Sequence, residues 1–196
     1  PLGTYTVQEI TAPEGFILNS TVKTVTLTYG NQSVEIVYGD VTIPNTPQSG
    51  KITVRKENID PAMGDYSLSG AVFDVFRSNT VVDTITTGSD GKATTKALPL
   101  GTYTIKERTA PTGFVLSNET VTVKLEYAGQ TVSTVYGSAT IGNRPQTGKI
   151  SVTKIDAETG ETSQGDASLY GARYEIKNSA GKVVDTIQAL GSRVAT

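Results

Sequence analysis

The chain contains no cysteine, no histidine and no tryptophan. Without cysteine and histidine, the usual nucleophile–base pairs and the soft metal sites have no side chains to form them. We therefore predict no metal and no cofactor. The absence of disulfides has two explanations: either the chain resides in a reducing compartment, or a secreted chain is stabilised in another way.

The charge balance and the hydrophobic pattern exclude two further classes of partner. Seventeen basic residues stand against nineteen acidic ones, for a net charge of -2. A nucleic-acid-binding protein needs a strongly basic face, so we expect no nucleic acid partner. No apolar run approaches the roughly 18 residues of a membrane span, so we expect no membrane insertion. The abundance of Val, Thr and Tyr favours an all-β fold.

An internal repeat dominates the sequence. Residues 1–50 align with residues 99–148 without a gap, and 28 of the 50 positions are identical. The offset of 98 residues is the size of one small β-sandwich. We therefore predict tandem sandwiches rather than one larger domain.

The phase of the repeat predicts the domain boundaries. Residues 51–147 form one complete repeat, residues 1–50 the C-terminal half of a preceding repeat, and residues 148–196 the N-terminal half of a following one. Neither half is expected to bury a full core alone. The sequence leaves two explanations open: the chain is part of a longer array, or halves from successive chains complete one another head to tail.

Alternating apolar and polar residues predict seven short strands in the complete repeat. They cover residues 52–56, 71–76, 81–85, 103–107, 121–127, 131–136 and 139–141. This spacing favours a sandwich, and the short proline-containing joints favour domains stacked end to end. Four tyrosines recur with the repeat on these segments and are expected to pack in the core: Tyr5, Tyr38, Tyr103 and Tyr136.

Three polar residues occupy positions that the alternation directs into the core. Side chains alternate between the two faces of a strand. Lys56, Glu107 and Asn143 share the parity of the aliphatic or aromatic residues two positions before them. The same parity directs the equivalent residues of the cut repeats inward, namely Glu9, Asn45 and Lys154.

Two interpretations account for such a buried group, because an unpaired buried charge is very costly. The first is a Lys–Glu ion pair with Asn as its hydrogen-bond partner, although such pairs often gain little over apolar packing. The second is chemistry: a desolvated lysine becomes a neutral amine nucleophile. A protonated Glu would polarise the Asn carbonyl and carry protons, the amine would attack the amide carbon, and ammonia would leave. Such a reaction is a single-turnover self-crosslinking, so the chain is not predicted to be an enzyme.

Several motifs resemble those of one family. Residues 5–16, Tyr-Thr-Val-Gln-Glu-Ile-Thr-Ala-Pro-Glu-Gly-Phe, and residues 103–114 resemble the E-box of pilins. Residues 51–56 resemble the first strand of the same domains, residues 68–73 their Leu-x-Gly-Ala-x-Phe strand, and residues 141–143 their closing Ile-x-Asn. The family is that of the Cna protein B-type repeat domains of Gram-positive adhesins and pilins.

The resemblance implies an immunoglobulin-like, transthyretin-like sandwich and a Lys–Asn isopeptide bond promoted by Glu. When the motif positions of the family are matched to this sequence, the implied crosslink joins Lys56 to Asn143, with Glu107 as the catalytic residue. In the preceding repeat the catalytic residue is Glu9.

Two crosslink sites are incomplete within the chain. Asn45 lacks a lysine, which would precede residue 1, and Lys154 lacks the Glu and Asn that would follow residue 196.

The expected function is a structural stalk or fibre repeat of a bacterial surface adhesin or pilus-like protein. The expected location is the cell surface, with cell-wall anchoring through a region outside this chain. The expected partners are neighbouring repeats. The alternative is a ligand-binding adhesin module for a host matrix protein or carbohydrate.

Overall fold

The computed structural model describes residues 1–64, 66–160, 163–189 and 193–195. The chain divides into two compact units, Pro1–Gln146 and Thr147–Thr196. The described residues form β-strands and one short 3-10 helix, Pro61–Met63, so the fold class is all-β as predicted.

The strands are numbered in chain order. They are β1 (Gly3–Val7), β2 (Phe16–Ile17), β3 (Lys23–Leu27), β4 (Thr46–Pro47), β5 (Ser49–Asn58), β6 (Val72–Arg77), β7 (Thr80–Thr86), β8 (Lys92–Thr94), β9 (Leu98–Pro99), β10 (Gly101–Thr109), β11 (Thr120–Leu125), β12 (Thr134–Asn143), β13 (Ser151–Thr153), β14 (Arg173–Lys177), β15 (Val183–Gln188) and β16 (Arg193–Ala195).

Two sheets form the sandwich of the complete repeat. One has the strand order β11-β10-β6-β7, and the other has the order β12-β5-β8 with β9 also paired to β5. A single cluster of apolar side chains packs between them, and its buried members all lie between residues 52 and 141. Alternation places these side chains on the inner faces, because residues two apart share a face.

The first and last strands of the sandwich are parallel neighbours. β12 pairs with β5 over its whole length, with Ile141 opposite Lys56. In the segment from residue 131 onwards the prediction of two strands was wrong, because one continuous strand covers Thr134–Asn143. Along that strand the buried residues have odd numbers, which directs Tyr136 outward. Its exposed fraction is 76%, and Tyr38 is exposed as well, so the prediction that these two tyrosines pack in the core was wrong.

The strands β1 to β4 pair among themselves but bury little apolar surface. β1 pairs with β3 and β2 with β4, both antiparallel. Tyr5 on β1 is 40% exposed, whereas its equivalent Tyr103 on β10 is 1% exposed. The difference follows from the missing opposite sheet, which in the complete repeat covers the face that carries Tyr103.

The unit Thr147–Thr196 contains two antiparallel pairs, β13 with β16 and β14 with β15. Its buried apolar residues are Ile187 and Ala189, with a few half-buried side chains packed against them.

Candidate crosslinking site

The three polar residues selected by parity meet inside the sandwich. Lys56 lies near the end of β5, Glu107 on β10 and Asn143 at the end of β12, so both sheets contribute. Their exposed fractions are 1%, 1% and 2%. The predicted inward orientation of all three side chains in the complete repeat is confirmed.

Lys56 is held between a carbonyl, an amide and a carboxylate. Its Nζ donates to the backbone oxygen of Ile141 at 2.6 Å and to Oδ1 of Asn143. Oε1 of Glu107 lies 3.4 Å from the same nitrogen. Burial lowers the pKa of Lys56 below its ordinary value because it strips water from the ammonium, and the negative charge of Glu107 opposes that shift.

The amide of Asn143 has a defined orientation. Its Nδ2 donates to Oε2 of Glu107 at 2.7 Å and to the backbone oxygen of Val115 at 2.8 Å. Both hydrogens of the amide nitrogen are thereby used on acceptors, which leaves Oδ1 to face the lysine. Glu107 therefore contacts the amide nitrogen, rather than the carbonyl oxygen that the sequence-based mechanism assigned to it.

Glu107 bridges Lys56 and Asn143. Oε2 accepts from Asn143 and from the backbone N–H of Ser117 at 2.9 Å, whereas Oε1 is buried and accepts no hydrogen bond. Oε1 forms an ion pair with the Lys56 nitrogen. The register of β10 against β6 shifts directly after Glu107, and such bulges commonly reposition a side chain at a functional site.

A tight turn positions the segment that surrounds the carboxylate. Phe114 donates its N–H to the oxygen of Pro111 at 3.1 Å, and Gly113 between them has φ of 91°. Positive φ at the third position of such a turn favours glycine. The ring of Tyr66 packs edge-on to Phe114 with 5.8 Å between centroids. The segment that follows supplies Val115 and Ser117 to the site.

The preceding repeat contains the Glu–Asn half of the same arrangement. Asn45 donates through Nδ2 to Oε2 of Glu9 at 2.7 Å and to the oxygen of Ile17 at 3.1 Å. The backbone N–H of Asn19 donates to the same carboxylate at 2.9 Å. These partners are the 98-residue equivalents of those around Glu107, so the geometry is reproduced in the absence of a complete sandwich.

Lys154 does not follow its predicted orientation. It is exposed in the structure, although parity with Val152 directed it inward. β13 ends at Thr153, so the alternation of faces does not extend to Lys154.

Comparison with known proteins identifies the domain type. The model of the SpaA prealbumin-like fold domain matches residues 1–42 and 50–139, which is more than half of the chain. The chain belongs to this family. The matched segments are separated by residues 43–49, and the family agrees with the pilin and adhesin domains that the E-box motifs predicted.

Relatives of this SpaA-type chain occur in Bacillus anthracis and Streptococcus pyogenes. A structure of the Bacillus anthracis TIE protein aligns with the whole chain at 26% identity and a TM-score of 0.70, and the chain covers 34% of it. The trypsin-resistant surface T6 protein of Streptococcus pyogenes is 38% identical over 68 residues, which are 34% of this chain and 13% of that protein. The chain thus spans a minor part of the relatives it matches.

The described part of the SpaA-type chain contains neither a cluster of metal-binding side chains nor a membrane-spanning helix. There, no group of three or more acidic, His or Cys side chains is placed to hold a metal ion. Among the same residues no helix has the length and apolar character needed to span a membrane.

One buried polar residue was missed by the sequence analysis. Gln48, in the joint between the repeats, is 2% exposed and makes side-chain hydrogen bonds to the loop between β11 and β12. Its signal in the sequence was its recurrence as Gln146, but the joint was interpreted only through its length and its proline.

Proposed function

We propose that the chain is part of a structural stalk or fibre on the surface of a Gram-positive bacterium, and that its complete repeat is closed by an isopeptide bond between Lys56 and Asn143. The observation that carries the proposal is the buried contact of Lys56, Glu107 and Asn143 on strands of both sheets. Membership of the SpaA family and similarity to surface proteins support the location. Cell-wall anchoring would lie outside this chain.

An ion pair with a hydrogen-bonded Asn is the competing interpretation, and the energetics favour chemistry. A buried Lys–Glu pair usually needs its remaining hydrogen-bonding capacity satisfied to offset desolvation. Here the only contact of Oε1 of Glu107 with a polar group among the described residues is its 3.4 Å ion pair with Lys56, without a well-formed hydrogen bond. Converting the ammonium of Lys56 into an amide nitrogen, with the released proton kept on Glu107, removes both buried charges, which relieves the desolvation cost.

The proposed reaction proceeds in balanced steps. A proton first passes from the Lys56 ammonium to Glu107 across the 3.4 Å contact, which leaves a neutral amine and a neutral carboxyl. The Nζ lone pair then attacks Cγ of Asn143, and the C=O π electrons move onto Oδ1. Glu107 donates its proton to Nδ2 and takes one from Nζ. The electrons on Oδ1 return to re-form the C=O bond, the Cγ–Nδ2 bond breaks, and ammonia leaves. Glu107 ends as a neutral carboxyl that keeps the proton first released by the Lys56 ammonium, and the held contact of the groups replaces a bimolecular encounter.

The bond would stabilise the repeat by restricting its unfolded state. It encloses 86 intervening residues. By the loop-closure model used for disulfides, a loop of this length contributes about 4–5 kcal/mol. A secreted chain without cysteine thereby obtains a covalent crosslink of comparable effect.

The cut repeats would follow the same chemistry with residues outside the chain. Glu9 and Asn45 already contact each other and would accept a lysine from the strand that precedes residue 1. Lys154 would react with an Asn beyond residue 196. In the head-to-tail alternative, another copy supplies these missing groups.

Intact-mass spectrometry of the folded 196-residue chain tests the proposal. The wild type is expected to weigh one ammonia less than its sequence, and Lys56→Met should have its full sequence mass. Lys154→Met is the matched control, because its lysine has no Glu–Asn pair in the same repeat within the chain, and it should retain the ammonia loss. A folded wild type at full sequence mass would leave the ion pair as the explanation.

The alternative function, a ligand-binding adhesin module, is favoured by one observation. Tyr38 and Tyr136 recur at the same phase and are both exposed, which suits stacking against a sugar ring. Solid-phase binding of the chain to carbohydrates and matrix proteins tests this alternative. Saturable binding that Tyr136→Ala abolishes would establish it, whereas a stalk repeat is expected to show none.

A further inference from the structure

Gln48 connects residues 1–50 to the sandwich that follows them. Its Oε1 accepts from the backbone N–H of Ala128 at 3.0 Å. Its Nε2 donates to the oxygens of Gly129 at 3.1 Å and Val132 at 2.5 Å. Both N–H groups and the oxygen of this buried amide are therefore bonded to one loop, between β11 and β12.

Gln130, on that loop, forms hydrogen bonds in the opposite direction, to residues 1–50. Oε1 of Gln130 accepts from the N–H of Ala12 at 2.9 Å, and its backbone oxygen accepts from the N–H of Leu18 at 2.9 Å. The N–H of Gln48 donates to the oxygen of Gly15 at 2.8 Å. The E-box turn, the joint and the loop of the next repeat thus form one hydrogen-bonded group.

The buried amide hydrogen bonds of this group favour one relative orientation of the two repeats. A buried amide that loses its partners leaves polar atoms unsatisfied, so tilting one repeat against the next is disfavoured. Resting on the proposed stalk function, we propose that Gln48 and the loop of residues 128–132 form an inter-repeat lock that fixes the orientation of consecutive repeats. The lock is independent of the crosslink.

Both halves of the lock recur at the 98-residue offset. Gln146 is the equivalent of Gln48, and its N–H donates to the oxygen of Gly113 at 2.7 Å, as that of Gln48 does to its own turn. Gln32 is the equivalent of Gln130. Gln146 and Gln32 are both exposed. Gln146 would bind the loop equivalent to residues 128–132 of another repeat, and Gln32 would bind the joint of another repeat. The contact between Gln48 and its loop shows how these pairs fit together.

Electron–electron distance measurements on the full chain test the lock. The chain has no cysteine, so spin labels at Lys23→Cys and Asn79→Cys are unambiguous. The labelled chain is expected to give one narrow distance distribution. Gln48→Ala should broaden it at least twofold, Gln130→Ala should broaden it less because the backbone bond remains, and Gln146→Ala, the matched exposed glutamine, should leave it unchanged.

The lock would be overturned if Gln48→Ala and Gln130→Ala left the width of the spin-label distance distribution unchanged. It would also be overturned if the labelled chain without either substitution gave a broad distribution. Intact mass on the same samples separates this result from the crosslink proposal. Ammonia loss in every variant would show that the sandwich had folded and reacted. Any broadening of the distance distribution would then arise from movement at the joint between the repeats. Narrow parent distances without ammonia loss would support the lock and refute the crosslink.

Discussion

The side-chain nitrogen of Lys56 meets the amide oxygen of Asn143 across two neighbouring parallel strands. In the register of these strands Lys56 is opposite Ile141, so the lysine reaches diagonally past one residue to its partner on the same inner face. Glu107 approaches from the opposite sheet. The contact therefore requires a closed sandwich, so the proposed bond would form only after folding.

Replacing the carboxylate should stop the reaction while keeping the packing. Glu107→Gln has nearly the same shape but cannot exchange a proton between Nζ and Nδ2. We expect the folded variant to have its full sequence mass. Glu9→Gln alters the equivalent position of the preceding repeat and is expected to keep the ammonia loss. A crosslinked Glu107→Gln variant would show that proton transfer by this residue is dispensable.

Removing the acceptor should cost the loop-closure stabilisation. Asn143→Ala cannot form the bond, and we expect the free energy of unfolding of the complete repeat to fall by about 4–5 kcal/mol. Guanidinium denaturation followed by tyrosine fluorescence measures this loss. Asn45→Ala removes the equivalent side chain outside the complete sandwich and should leave that transition in place. A loss below about 1 kcal/mol for Asn143→Ala would contradict the covalent model.

The uncrosslinked protein should become more stable as pH rises. The pKa of Lys56 lies below its ordinary value of 10.5 in the folded state because of burial. Between the lowered pKa and 10.5, the unfolded chain binds a proton at Lys56 that the folded chain does not. The unfolding free energy therefore increases with pH in this interval.

Urea denaturation at several pH values up to 10 measures this slope in Asn143→Ala, where Lys56 stays a free amine. The double variant Lys56→Met/Asn143→Ala is the control, because methionine fills similar space without titrating. Its slope should be smaller than that of Asn143→Ala. Equal slopes would show that Lys56 keeps its ordinary pKa when buried.

Close packing beside the last strand should make one glycine intolerant of substitution. A Cβ at Gly137 would lie 2.5 Å from Cγ1 of Val123 and 3.3 Å from Cδ2 of Leu125. Overpacking of this kind typically costs about 1–3 kcal/mol. Gly137→Ala is thus expected to lower the melting temperature. Gly148→Ala, where an added Cβ meets no atom within 4 Å, should not.

Alternation of side chains was sufficient to predict the site because it operates over a few residues of one strand. Lys56, Glu107 and Asn143 each follow an apolar residue of the same parity within an unbroken strand. Tyr136 was placed in the core because it recurs with the repeat, and dividing β12 in two hid the phase between Tyr136 and Asn143 that directs it outward. Alternation failed at Lys154 because the strand ends one residue earlier.

The contacts of the joint could not be predicted in this way. Gln48 bonds to residues about 80 positions later, across a boundary between repeats. No local periodicity relates these positions, and a polar residue next to a proline is typical of an exposed linker. Likewise, the contact of Glu107 with the nitrogen of Asn143 depends on the orientation of an amide, which the surrounding acceptors decide.

The parallel pairing of β5 with β12 sets how far a crosslinked repeat can lengthen. An unbridged repeat of 98 residues, drawn out fully, spans about 330 Å. With Lys56 joined to Asn143, the 86 residues between them are withheld from the pulled chain. About a dozen residues, or roughly 40 Å, remain to be extended. A filament of such repeats would transmit a sudden pulling force with almost no extension.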